Sequence, residues 1–119
     1  MNEQLIEAIG ELEVFLAKSK RLNIESRDLL LEITNKEEEG EFEDMARSHL
    51  PIIADKYKYA CKIKEDYGDY TIKYKSLIDS MGEDIIKVSR DTAIGIDTMV
   101  NIIGKTLRKL IEINRRLKQ

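Results

Sequence analysis

From Ile63 onward the apolar residues recur at alternating spacings of four and three: Ile63, Tyr67, Tyr70, Tyr74, Leu77 and Met81. The same phase resumes at Ile85, Val88, Thr92, Ile96, Met99 and Ile103, and again at Leu110, Ile113 and Leu117. That is a heptad pattern, and it commits half of the chain to long helices with one buried seam. A strand cannot use it, because side chains of a strand alternate faces every second residue. One Pro and six Gly in 119 residues also leave too little turn material for a sandwich or barrel of short strands. The reading is all-α: one helical domain over residues 1–119, an antiparallel bundle of three or four helices.

The first segment has its own stripe at Leu5, Ile9, Leu12 and Leu16, widened by Ile6 and Phe15, and resumed by Leu29, Leu30 and Ile33. It predicts a helix over 2–34. Ser19 and Ser26 stand where core leucines belong, so residues near Asn23 form either a polar layer or a break. Asn35 followed by Glu38 fits an N-cap with its capping-box acid, which opens a second helix over 37–48. Pro51 lacks an N–H and restricts Leu50, so a third helix starts there and runs over 51–79. Ser80-x-x-Glu83 is another capping box, and Gly82 weakens the helix, so the chain turns at 79–84 before a last helix over 82–118. The competing architecture is a hairpin in which one helix runs from 52 to 118. At ~1.5 Å per residue it would reach roughly 100 Å and would have to dimerise. Gly95 and Gly104 lie inside the last helix, where each costs up to about 1 kcal/mol relative to Ala, so they permit close helix approach or mark a bend.

Charged residues make up 36%, against roughly 25% in an average domain, and they are unevenly placed. Residues 1–44 hold 13 acidic and 5 basic side chains, and residues 45–119 hold 10 and 15. The basic excess concentrates in Lys105, Arg108, Lys109, Arg115, Arg116 and Lys118. Complementarity between antiparallel helices explains such asymmetry without any ligand, and cations also suit a helix C-terminus.

Chemistry-bearing motifs are absent. Gly104-Lys105-Thr106 ends like a phosphate-binding loop, but its first glycine is replaced by Met99 and its flanks are helical. His49 and Cys61 are the only histidine and the only cysteine, with no third group to make a nucleophilic triad. No metal-ligand spacing occurs. The expectation is a protein that is not an enzyme and needs no cofactor or metal. With a single cysteine, no basic n-region and no apolar run of ~18 residues, the chain reads as cytoplasmic and without a membrane span.

All five tyrosines fall between 57 and 74, interleaved with lysines. Tyr59, Tyr67, Tyr70 and Tyr74 lie within about 80° on a helical wheel, which is where a seam belongs. Tyr57 lies off that stripe and is the better surface candidate. The function expected is a protein-binding module of the adaptor, chaperone or inhibitor type. Its candidate contacts are Tyr57, Tyr67, Tyr70, Tyr74, Leu77, Arg108, Lys109, Arg115 and Arg116. Two alternatives stand beside it. One is a nucleic-acid-associated protein using Lys56–Lys75 and the basic C-terminal helix, which the acidic overall balance argues against. The other is a structural homo-oligomer, such as a homodimer, built on the 63–117 heptads.

Overall fold

A computed structural model describes residues 3–39 and 43–117. These form four helices and no strand: α1 (Glu3–Glu39), α2 (Glu43–Lys73), α3 (Lys75–Ser80) and α4 (Glu83–Leu117). The three long helices run up, down and up in a bundle of 60 × 20 × 16 Å. Its radius of gyration, 17.9 Å, exceeds the ~13.5 Å of a compact domain of this length. The chain turns at Met81 and Gly82, so the continuous 52–118 helix does not form.

α4 is the hub. It packs against both α1 and α2, whereas α1 and α2 touch each other sparsely. Side-chain bonds fix the directions. Asn114 Nδ2 donates to Ala46 O (2.9 Å), and Tyr67 Oη donates to Ser89 O (2.7 Å), so α2 and α4 are antiparallel. Asn23 Nδ2 donates to Gly95 O (3.1 Å) and Glu37 pairs with Lys109 (2.8 Å), so α1 and α4 are parallel. The heptad seam closes within the chain. Ile63, Tyr67, Tyr70, Tyr74, Ile96, Met99, Ile103, Leu110 and Ile113 are all buried, and Leu77, Met81, Ile85, Val88 and Leu117 pack half-buried against them. Thr92 and Thr106 join the same row, each hydroxyl bonding the carbonyl four residues back (2.7 and 2.8 Å).

Two expected boundaries move, and one expected cap does not form. α1 runs through Asn35 to Glu39, so that capping box does not open a helix, and residues 40–42 lie outside the described residues. α2 runs through Pro51. A proline inside a helix costs about 3 kcal/mol, but this one sits on the exposed face. Buried Ala46 and Ile53 on either side hold that stretch of α2 in the core, and Asn114 ties down Ala46. At the second turn Ser80 does not cap Glu83; its hydroxyl donates back to Leu77 O (2.7 Å). Gly82 O instead accepts the first amides of α4, from Ile85 and Ile86. The short break at Tyr74 (φ −108°, ψ 14°) was not signalled by the sequence pattern.

The middle of α1 stays helical, and its serines form a polar layer. Ser19 (1% exposed) and Ser26 (3%) face the core, and Ser19 Oγ donates to Leu16 O (3.0 Å). A Cβ on Gly95 would stand 3.4 Å from Ser19 Oγ, so the small residues let α1 and α4 approach closely. At Gly104 a Cβ would meet the Tyr57 ring at 3.2 Å. Both glycines therefore answer to packing. Ser26 Oγ is buried with no hydrogen-bond partner among the described residues. An unpaired buried hydroxyl costs about 1–3 kcal/mol, and Ala is the better helix former. Ser26→Ala is accordingly expected to stabilise the fold by about 1 kcal/mol. A urea midpoint that fails to rise would contradict this account.

Candidate functional site

α1 and α2 both lean on α4 and meet each other mainly through side chains, Phe15 against Tyr67 and Tyr70 and Lys56 against Glu25, which leaves a shallow groove between them. Two recesses mark it. One, of about 450 Å³, has Leu22 at its floor, Tyr59 on the α2 rim, and Lys18, Arg21, Glu25, Asp55 and Lys56 around it. The next, of about 620 Å³, is reached past Lys18. Phe15 and Tyr74 line it together with Val14, Glu7, Glu11, Asp66 and Lys73. Both volumes fall in the range of ligand-accepting clefts.

Phe15 and Tyr74, which line the second recess, belong to an aromatic cluster that continues into the core. Tyr67 and Tyr70 stack at 5.6 Å between centroids, Phe15 meets Tyr67 edge-on at 5.1 Å, and Tyr74 tilts against Tyr70 at 5.1 Å. The hydroxyls are satisfied inward: Tyr67 on Ser89 and Tyr70 on Ala8 O (2.7 Å). Burial raises the Tyr67 phenol, and pushes the Tyr70 phenol up to about 12. Lys73 Nζ lies 5.0 Å from the centroid of the Tyr74 ring, a cation–π contact at the groove's edge. The polar rim is held by Glu25, which takes Arg21 Nε at 3.1 Å and Lys56 Nζ at 3.2 Å. These two bonds, Arg21 first, keep its carboxyl below the usual value. The exposed apolar side chains here are Val14 (52%) and Tyr59 (47%), with Ile52 one heptad before Tyr59 on the same side of α2.

The structure separates the residues singled out from sequence. Tyr67, Tyr70 and Tyr74 are core, and Leu77 packs half-buried against it. The tyrosine expected at the surface is exchanged: Tyr57 is half-buried with its ring over Gly104, while Tyr59 stands out of the seam. Tyr59 sits at the margin of the buried arc, on the flank that α1 leaves open. Wheel geometry treats both flanks alike and cannot see this. Lys109 and Arg116 reach Glu37 of α1 (2.8 and 4.0 Å), so part of the charge asymmetry is spent inside the chain. Arg108 and Arg115 are exposed, and Lys118 lies outside the described residues. Val14, Leu22 and Tyr59 as a set were missed. No spacing rule reveals them, since the groove depends on which helix pair stays apart.

His49 and Cys61 are both half-buried on α2, twelve positions and so about 18 Å apart along one helix. They do not meet. Among the described residues no group of three or more His, Cys, Asp or Glu is placed to hold a metal. No helix among them is long and apolar enough to cross a membrane. Comparison with protein-family models, curated proteins and solved structures finds no match to this chain.

Proposed function

We propose that this protein is a non-catalytic binding module that receives an amphipathic helix of another protein in the groove between α1 and α2. The observation behind this is the pair of neighbouring recesses between α1 and α2, one lined by Leu22 and Tyr59 and the other by Val14, Phe15 and Tyr74. An incoming helix of period 3.6 can lay an apolar stripe over Leu22, Phe15 and Tyr74, with Val14 and Tyr59 closing over it. Tyr59 has the character of an anchor, a large amphipathic ring at the centre of a polar rim. Arg21, Glu25, Lys56 and Asp55 then set the partner's register by charge. The nucleic-acid alternative draws less support, because Lys56, Lys62, Lys64 and Lys109 each face a carboxylate 2.8–3.2 Å away.

A photo-reactive residue at position 59 tests the reading in cells. Adducts with a defined protein are expected from position 59 and not from position 58, whose Lys58 is exposed on the outer side of α2. For the purified partner, Tyr59→Glu should weaken binding about tenfold or more while circular dichroism stays unchanged. Equal labelling from both positions, or full affinity in the variant, would remove the groove from consideration.

A further inference from the structure

The outer face of α1, the side turned away from α4, carries a second surface. Ile6 (55% exposed), Ile24 (63%) and Leu31 (61%) stand in solvent there, while Ala8, Leu12, Ser19, Leu22, Ser26 and Ile33 take the buried side. Glu13 and Ala17 share that outer face and are exposed, and exposed Lys20 stands at its edge toward α4. Three large aliphatic side chains on one helix face, with half or more of each in water, are not needed by the chain's own packing.

We propose that a second copy of this chain docks there, α1 against α1 and antiparallel, with the two-fold axis beside the Val14–Ala17 turn. Two features of the face fit the same register. The first is apolar: an antiparallel pair centred on that turn sets Ile6 opposite Ile24 of the second copy, and Ile24 opposite its Ile6. The second is electrostatic. On the outer side of α1, Glu3 and Glu13 precede the turn and Lys20 and Arg27 follow it, whereas Glu7, Glu11, Lys18, Arg21 and Glu25 face the groove. Antiparallel docking about the same turn lays Glu3 opposite the second copy's Arg27 and brings Glu13 within one turn of its Lys20. A parallel pair would set Glu3 against Glu3 and Glu13 against Glu13. The arrangement is isologous, so every contact occurs twice. The centre of the interface is small: Ala17 lies near the axis, and a Cβ on Gly10 would meet nothing within 4 Å in the chain itself. Such residues let two helix backbones approach closely. This surface adjoins the groove at Gly10 and Val14 but does not rest on the function proposed for the groove.

Sedimentation of the full chain over a range of concentrations tests the idea. The expected result is a concentration-dependent rise from 13.8 kDa to twice that mass. Ile24→Glu should raise the dimer dissociation constant about tenfold or more. Because Ile24 is exposed, the variant keeps its fold. Glu13→Lys and Lys20→Glu should each weaken the dimer, and the two together should restore it. A chain that stays monomeric at ~100 µM, where a dimer with a micromolar constant would be nearly complete, would overturn the proposal. So would a dimer indifferent to Ile24→Glu, or one abolished by Tyr59→Glu instead, which would place the second copy in the groove.

Discussion

Ile103→Ala is expected to lower the unfolding free energy by about 2–5 kcal/mol, the cost of emptying a fully buried aliphatic site. Ile103 is 0% exposed and sits midway along the buried row of α4, with Met99 before it and Thr106 and Leu110 after it. α4 is the one helix against which both other long helices pack, so a cavity there weakens the support of α1 and α2 together. A domain of this kind has a total stability of about 5–15 kcal/mol, so the variant should show a clearly lower urea midpoint and partial unfolding on mild heating. Ile94→Ala on the same helix is the control. Ile94 is 64% exposed, and its truncation should change stability by no more than about 0.5 kcal/mol. Similar losses from both variants would mean that α4 is not the buried hub.

The buried seam was legible before any coordinates, though α4's place as the hub was not. Spacings of three and four from Ile63 to Leu117 name most of the buried residues of α4 and the later part of α2, because the period of a helix leaves that stripe no other face. Gly82 marked the turn for the same reason: a weak helix former between two strong stripes. What misled was local chemistry. Asn35 and Pro51 are helix punctuation in isolation, yet the burial of Ile33, Ala46 and Ile53 keeps both in helical conformation. Propensity at one residue is a few kcal/mol at most, and several buried contacts exceed it. The groove was illegible for a different reason. It arises from the distance between α1 and α2, and that distance is set by both leaning on α4 around Gly95, Gly104 and the serine layer. Each helix seen alone gives no sign of it, and so Tyr57 and Tyr59 changed places.

Alkaline conditions are expected to unfold this protein through its tyrosine cluster. The Tyr70 phenol titrates near 10.0 when exposed, and burial pushes it up to about 12 in the fold. Below pH 10 both states hold the proton, and stability does not depend on this group. Between about 10 and 12 the unfolded chain releases the proton and the folded chain keeps it. Unfolding then proceeds with proton loss, so stability falls as pH rises. A shift of this size corresponds to a loss of about 2–3 kcal/mol once pH passes the folded value. Tyr67 is raised by burial as well and adds in the same direction. The measurement is urea unfolding as a function of pH, followed alongside tyrosinate absorbance. Tyr70→Phe separates the causes. At neutral pH it should cost about 1 kcal/mol, from the lost bond to Ala8 O. In the alkaline range it should remove most of the slope and leave the part due to Tyr67. A slope unchanged by Tyr70→Phe would place the sensitive group elsewhere.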